Sequence, residues 1–213
     1  ITRKIMIMDR EVRSGKWRDE IKRIIGPIHS YSSLTLGLLG FGKIARRVAI
    51  RAKAFGFNLI SYSPRKPRWE FTLLGVKKVA SLEELLRRSD ILSIHVPLTP
   101  ETRHMIGERE LSLMKPGSFI INTSRGGIID QKALYKALKE GKIAGAALDV
   151  FDPEPIDPDD PLLKLDNVIL TPHIAWYTEE ATMRLKREAA KAAADVLSGR
   201  RPEFVVNPEV FRT

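Results

Sequence analysis

The chain has 213 residues, 43% of them hydrophobic, which suits one large domain, or one domain with an appendage, built round a proper core. Its 36 Lys and Arg outnumber 26 Asp and Glu for a formal charge of +10, but the cations are spread along the chain among the acids with no aromatic-interleaved basic tract, which argues against a nucleic-acid partner. No window approaches the ~18 uninterrupted apolar residues of a membrane span, and the absence of cysteine excludes disulfides and thiolate metal sites, so the expectation is a soluble, cytoplasmic protein without a metal.

Ile1, Ile5, Met8 and Val12 fall at three- and four-residue spacing and predict one amphipathic helix over 1–22. Gly26-Pro27 breaks it, and a Ser-rich connector at 30–33 follows. The pattern then alternates. A buried strand is expected over 34–39, a helix over 43–55 with Ile44, Val48 and Ala52 on one face, and strands over 58–62 and 76–79. A helix over 82–88, a strand over 91–96, two short helical turns and a strand over 118–122 come next. The rest reads as a helix over 130–140 ended by Gly141, strands over 144–150 and 168–170, and a long amphipathic helix over 178–197. Strands alternating with helices of this length predict βαβ units and an α/β, doubly wound parallel sheet of the Rossmann type. The expected organisation is a lead-in helix and connector at 1–33, a dinucleotide-binding domain at 34–199 and a tail at 200–213.

Between the first strand and its helix, Gly40, Gly42 and Ala45 make a G-x-G-x-x-A turn. Gly40 permits the tight turn, Gly42 lets the backbone approach a pyrophosphate, and Ala45 lets helix and strand pack closely. The phosphates would sit on the positive helix N-terminus, against Phe41, Lys43 and Ile44. An NAD site would carry an acid about 20 residues further on, at the end of the second strand. Here that stretch reads Ser61-Tyr62-Ser63-Pro64-Arg65-Lys66 and has no acid. Ser63 and Arg65 suit the 2′-phosphate of NADP, which a carboxylate would repel. NADP is therefore the preferred cofactor and NAD the alternative; a basic loop that merely faces water has the same sequence.

Three polar clusters follow the later strands: Asn122-Thr123-Ser124-Arg125-Gly126-Gly127, Asp149-Val150-Phe151-Asp152-Pro153-Glu154-Pro155, and Thr171-Pro172-His173-Ile174-Ala175. Loops at the carboxyl ends of parallel strands line the ligand crevice, so Arg125, Glu154 and His173 can converge there. A ketone accepting hydride needs a proton, which a histidine can give. A carboxylate orients and stabilises the imidazolium, and a guanidinium binds a substrate carboxylate and polarises the carbonyl. Taken singly, Glu154 also reads as a surface acid, Arg125 as a salt-bridge partner and His173 as a hydrogen-bonding residue near a helix.

In this order after a glycine-rich turn, and with His95-Val96-Pro97-Leu98-Thr99-Pro100-Glu101-Thr102 between, the clusters resemble the D-isomer-specific 2-hydroxyacid dehydrogenase family over nearly the whole chain. The resemblance implies an oxidoreductase acting on a small 2-oxo or 2-hydroxy acid, with Arg125 orienting substrate, Glu154 partnering His173 and His173 as acid/base. It also implies that His95, Val96, Pro97 and Thr102 lie along the cofactor, with Thr123, Ser124, Arg125, Asp149, His173 and Ala175 at its nicotinamide end. Ser63 with Arg65 is similar to the NADP-preferring glyoxylate/hydroxypyruvate reductases; the run from His173 to Thr178 mixes features of glycerate and D-lactate enzymes and leaves the substrate open. Family members begin with a substrate domain that is expected to be largely missing before Ile1, so the chain alone is expected to bind cofactor and turn over poorly. A homodimer is expected, since Ile1, Ile5 and Met8 have no obvious core. The alternative is a non-catalytic dinucleotide-binding sensor or interaction protein of the same family.

Overall fold

Seven short segments form strands in the computed structural model, which describes residues 1–211. They are β1 (Thr35–Leu39), β2 (Asn58–Tyr62), β3 (Lys77–Lys78), β4 (Ile91–Ile94), β5 (Phe119–Asn122), β6 (Gly145–Leu148) and β7 (Val168–Leu170). Hydrogen bonding orders them β3-β2-β1-β4-β5-β6-β7, every neighbouring pair parallel. The chain reverses its direction of travel across the sheet between β1 and β4, and at such a switch point a parallel sheet opens a crevice beyond its carboxyl ends.

Eight α-helices accompany the strands among the described residues: α1 (Ile5–Arg13), α2 (Arg18–Ile25), α3 (Lys43–Ala54), α4 (Arg68–Thr72), α5 (Leu82–Arg88), α6 (Glu108–Ser112), α7 (Gln131–Lys139) and α8 (Glu179–Leu197). Alternation along the strands splits the core into two layers. Leu36 and Leu38 of β1 pack with Ala45, Ala49 and Ala52 of α3 and with Phe71 of α4. Leu39, Leu92, Ile94 and Ile120 pack with Leu85 and Leu86 of α5, Leu111 of α6 and Leu134 of α7. Three alanines at helical spacing bring α3 close to the sheet. On the other layer the close approach is at Gly37, where a Cβ would stand 1.9 Å from the Ser89 Oγ. That hydroxyl is itself buried and donates to the Leu85 carbonyl at 2.6 Å.

The doubly wound parallel sheet is as expected; the N-terminal helix is not. The stripe over 1–22 is split in two, because the Ser14 hydroxyl donates to the Glu11 carbonyl at 2.8 Å and Gly15 turns to a φ of +88°. A new helix begins at Arg18, where Glu20 reaches back to accept the Trp17 N–H at 3.4 Å. The stripe stays largely exposed, Ile5 at 65% and Val12 at 45%, while Arg10 ties α1 to Asp166 before β7 at 2.8 Å. Helix α4, after Pro67, was not expected, since a single turn carries too few residues for a period to show. The strand expected over 91–96 ends at Ile94: the His95 N–H still reaches the Leu39 carbonyl at 2.8 Å, but Pro97 has no N–H to continue the ladder.

Residues Ile1–His173 form one compact unit, and a second begins at Ile174. In the second, Thr178 caps α8 by accepting the Ala181 N–H at 3.0 Å, and Arg200 folds back on Asp195 at 3.0 Å. Of the expected tail at 200–213, residues 212–213 lie outside the described residues.

Candidate active and cofactor site

Every polar cluster singled out in the first unit lies at the carboxyl edge of the sheet, in the order the strands impose. Ser63, Pro64 and Arg65 follow β2, Gly40 to Ile44 follow β1, and His95 to Pro97 follow β4. Thr123 to Gly127 follow β5, Asp149 to Pro155 follow β6, and Thr171 to His173 follow β7. Residues separated by more than a hundred positions thus share one edge.

The glycine-rich turn is made by tight backbone packing. The Gly40 N–H donates to the Tyr62 carbonyl at 2.9 Å, and the residue has a φ of +92°, the left-handed region that glycine enters at little cost. A Cβ there would also stand 2.9 Å from the His95 carbonyl oxygen. At Gly42, the N-cap of α3, a Cβ would meet nothing within 4 Å. Open space over a helix N-terminus fits a pyrophosphate. The Phe41 side chain is fully buried, stacked on Phe71 at 4.2 Å, so this residue offers only its backbone to a ligand.

On the β4 loop, burial pushes the His95 imidazole down to about 4, and its Nε2 pairs with the Ser93 Oγ at 2.9 Å. This ring is neutral at physiological pH. Thr102 is occupied in shaping the loop, its hydroxyl donating to the Pro97 carbonyl at 2.6 Å and accepting the Thr99 N–H at 2.8 Å.

The catalytic candidates rest on a set of backbone fits. Asn122, buried at the end of β5, accepts the Ser124 N–H at 3.0 Å and donates to the Arg125 carbonyl at 2.9 Å, closing the turn. The Ser124 hydroxyl donates to the Val96 carbonyl at 2.5 Å. Gly126 lies against the next loop so closely that a Cβ would be 1.9 Å from the Phe151 carbonyl oxygen. The loop from Phe151 to Pro155 is held in turn by Arg103, which pairs with Asp152 at 3.0 Å, and by Gln131, which accepts the Asp152 N–H at 3.3 Å. Its 152–153 and 154–155 peptide bonds, each before a proline, are cis.

Glu154 uses both oxygens. Oε1 accepts the Phe151 N–H at 2.9 Å, and Oε2 lies 2.7 Å from the His173 Nδ1. Burial alone would raise this carboxyl. The hydrogen bonds from His173 and Phe151, with the charges of His173 and Arg125, outweigh it and hold the group below the usual carboxylate range. His173 has a φ of +53°, an uncommon conformation for a residue with a side chain; strain of this kind concentrates at functional sites. Behind it, Thr171 donates to buried Asp149 at 2.6 Å.

The structure therefore brings Arg125, Glu154 and His173 together on three adjacent strand ends, with Asp149 behind them. Ala175 belongs to the second unit. Sequence reasoning missed four residues of this arrangement: Ser93 as the partner of His95, Asn122 as the tie of the Arg125 turn, Thr171 as the partner of Asp149, and Arg103 as the anchor of the Glu154 loop. Ser93 and Asn122 lie two and three positions from their partners; nothing local ties Thr171 to Asp149, 22 positions away, or marks Arg103. Among the described residues no cluster of three or more His, Cys, Asp or Glu is placed to hold a metal, and no helix is long and apolar enough to cross a membrane.

The chain is 48% identical over 211 residues to a glyoxylate reductase of Korarchaeum cryptofilum, an alignment covering 99% of this chain and 63% of that protein. Among solved structures it superposes on the TT0316 protein of Thermus thermophilus with a TM-score of 0.86 at 38% identity, covering 96% of this chain and 63% of that one. It also superposes on an acyclic imino acid reductase (Bsp5) in complex with NADPH and D-Arg, with a TM-score of 0.83 at 33% identity, covering 96% and 63%. This chain thus spans just under two thirds of the length of each. Residues 1–175 match the family described as D-isomer specific 2-hydroxyacid dehydrogenase, NAD binding domain, and the chain belongs to that family.

Proposed function

We propose that this chain is the cofactor-holding part of an oxidoreductase that transfers a hydride between NAD(P)H and a small 2-oxo or 2-hydroxy acid. The observation that carries the reading is the 2.7 Å contact between the His173 Nδ1 and the Glu154 carboxylate, beside Arg125 at the carboxyl edge of the sheet. The nicotinamide, when bound, supplies or accepts the hydride. The protein's part is positioning and proton transfer. With Nδ1 on Glu154, the proton-transferring atom of His173 is Nε2, which gives its proton to the substrate oxygen in reduction and takes it back in oxidation. Glu154 stabilises the imidazolium while that charge exists. Arg125 holds the substrate carboxylate and draws charge onto the carbonyl oxygen.

Gly40 and Gly42 would admit the pyrophosphate. Ser63 and Arg65, with no acid at the end of β2, support NADP over NAD. The glyoxylate reductase relative and the NADPH-bound imino acid reductase both suit a small oxo acid or its imine analogue as substrate class. The exposed Ile5 and Val12 of α1 support self-association as a dimer.

Two measurements test the reading. Fluorescence titration of this chain should show tighter binding of NADPH than of NADH. In the protein extended to the length of its relatives, His173→Gln should cut glyoxylate-dependent NADPH oxidation by at least ~10²-fold with NADPH affinity unchanged; a variant that keeps its turnover removes His173 from the chemistry.

A further inference from the structure

This inference rests on the NADP reading and concerns how that preference is set. The stretch from Ser63 to Trp69 carries Arg65, Lys66 and Arg68 and no acid; the first acid after it is Glu70, on α4. The Glu70 side chain is 10% exposed and pairs with two cations, Arg46 of α3 and the Lys66 Nζ, the latter at 3.4 Å. Both partners belong to the segments that would surround the cofactor's phosphates. The Arg46 Nε donates to the Phe41 carbonyl in the glycine-rich turn at 3.3 Å. The Lys66 carbonyl accepts from the Lys78 Nζ at 2.6 Å, and the Lys66 N–H reaches the Ser63 carbonyl at 3.3 Å. Phe41 and Phe71, stacked within 10° of parallel, lie beside this cluster, with Arg46 5.9 Å from the Phe41 ring and Lys78, which binds the Lys66 carbonyl, 5.5 Å from the Phe71 ring.

A partly buried carboxylate holds its cations more firmly than a solvated one. A 2′-phosphate at Ser63 and Arg65 meets, in Lys66, Arg46 and Glu70, a cluster of net charge +1 where the two cations alone would offer +2. We propose that Glu70 is a specificity-tuning residue: by engaging Lys66 and Arg46 it offsets one of their two positive charges, leaves most of the discrimination to Ser63 and Arg65, and keeps the NADPH preference below what the basic loop would otherwise give. Unlike a structural carboxylate, whose loss weakens every ligand, Glu70 should raise one affinity when its charge is removed.

The experiment is a titration of the chain with NADPH and NADH at one ionic strength, for the native sequence, Glu70→Gln, Lys66→Met and the double variant, with folding followed by circular dichroism. E70Q should raise the NADPH-to-NADH affinity ratio about fivefold, and adding K66M should remove most of that rise. K66M alone should leave the ratio within about twofold, because Glu70 already occupies that lysine. A ratio that stays or falls in E70Q, or that survives intact in the double variant, overturns the proposal. If E70Q does not fold, K66M decides alone, since a collapse of the ratio would mean that Lys66 serves the phosphate directly. A native chain that binds both cofactors equally sinks the NADP reading, while the change between native and E70Q still tests Glu70.

Discussion

Gly126 is where backbone packing and the candidate chemistry meet, and Gly126→Ala measures the link. The added methyl would lie 1.9 Å from the Phe151 carbonyl oxygen, 2.0 Å from its carbon and 2.6 Å from its Cα. All three are backbone atoms, so no side chain can swing away. Opening the closest contact from 1.9 to 3.4 Å, where ordinary van der Waals contact begins, requires a displacement of 1.5 Å between the Arg125 turn and the Phe151 loop. Overpacking of this kind costs about 3 kcal/mol, which in a chain of this size lowers Tm by roughly 6–12 °C. The same movement carries away the Phe151 N–H that holds the Glu154 Oε1, and with it the carboxylate 2.7 Å from His173. A misplacement of about 1 Å can cost ~10²-fold in rate, so turnover in the protein extended to its relatives' length should fall by that order. NADPH affinity should fall far less than turnover, because Gly40, Gly42, Ser63 and Arg65, which would hold the phosphates, follow β1 and β2, while the displaced turn would reach only the nicotinamide end. Thermal melting, cofactor titration and turnover are the three assays. A G126A chain that melts within about 2 °C of native, or that loses cofactor affinity along with activity, refutes this account of the turn.

Two further expectations concern buried polar groups. His95 is held down to about 4 from an ordinary 6.5, so on acidification through that interval the unfolded chain takes up a proton that the folded chain refuses. Stability from this residue is full above pH 6.5 and drains away toward pH 4, by up to about 3 kcal/mol; His95→Gln should flatten that part of a urea-midpoint-against-pH curve, and an unchanged slope would place the acid sensitivity elsewhere. Thr171→Val removes a 2.6 Å donor from buried Asp149 and should destabilise the chain by about 1–3 kcal/mol in the same urea titration; a loss under ~0.5 kcal/mol would show the bond to be dispensable.

The layered architecture was legible because its signals are periodic or tied to special backbone geometry. Apolar runs separated by helical spacings predicted the parallel sheet, and Gly40-x-Gly42 marked a turn where backbone conformation and close approach to backbone coincide. The split between α1 and α2 was not legible, since the apolar period runs on past Ser14 and Gly15 while the break depends on one hydroxyl bond and one left-handed glycine. Placing Arg125, Glu154 and His173 on strand-end loops needed only the strand assignment. Their mutual geometry needed more: Gly126 against Phe151, Asn122 closing its turn, and Arg103 reaching Asp152 from 49 positions away. These are long-range fits with no local signature. Nothing local marks Glu70, because an acid that holds the ribose belongs at the end of β2 and Glu70 lies beyond it, on α4. There it pairs with two cations.

Strand order also divides the work of the site. In the proposed function, charge recognition of the cofactor would fall on loops after β2 and β1, and proton transfer on loops after β5, β6 and β7, with the neutral His95 on the β4 loop between them. A neutral ring at that position adds no net charge to either half. The anchors follow the same division: Arg46, Glu70 and Lys66 tie the first pair of loops to each other, whereas Arg103, Asp152 and Gln131 tie the Glu154 loop to its neighbours. No bond in one set shares a residue with the other. Substitutions in the two sets should therefore act additively, as separated sites with no shared partners do, so that E70Q changes which cofactor is held while G126A changes what can be done with it.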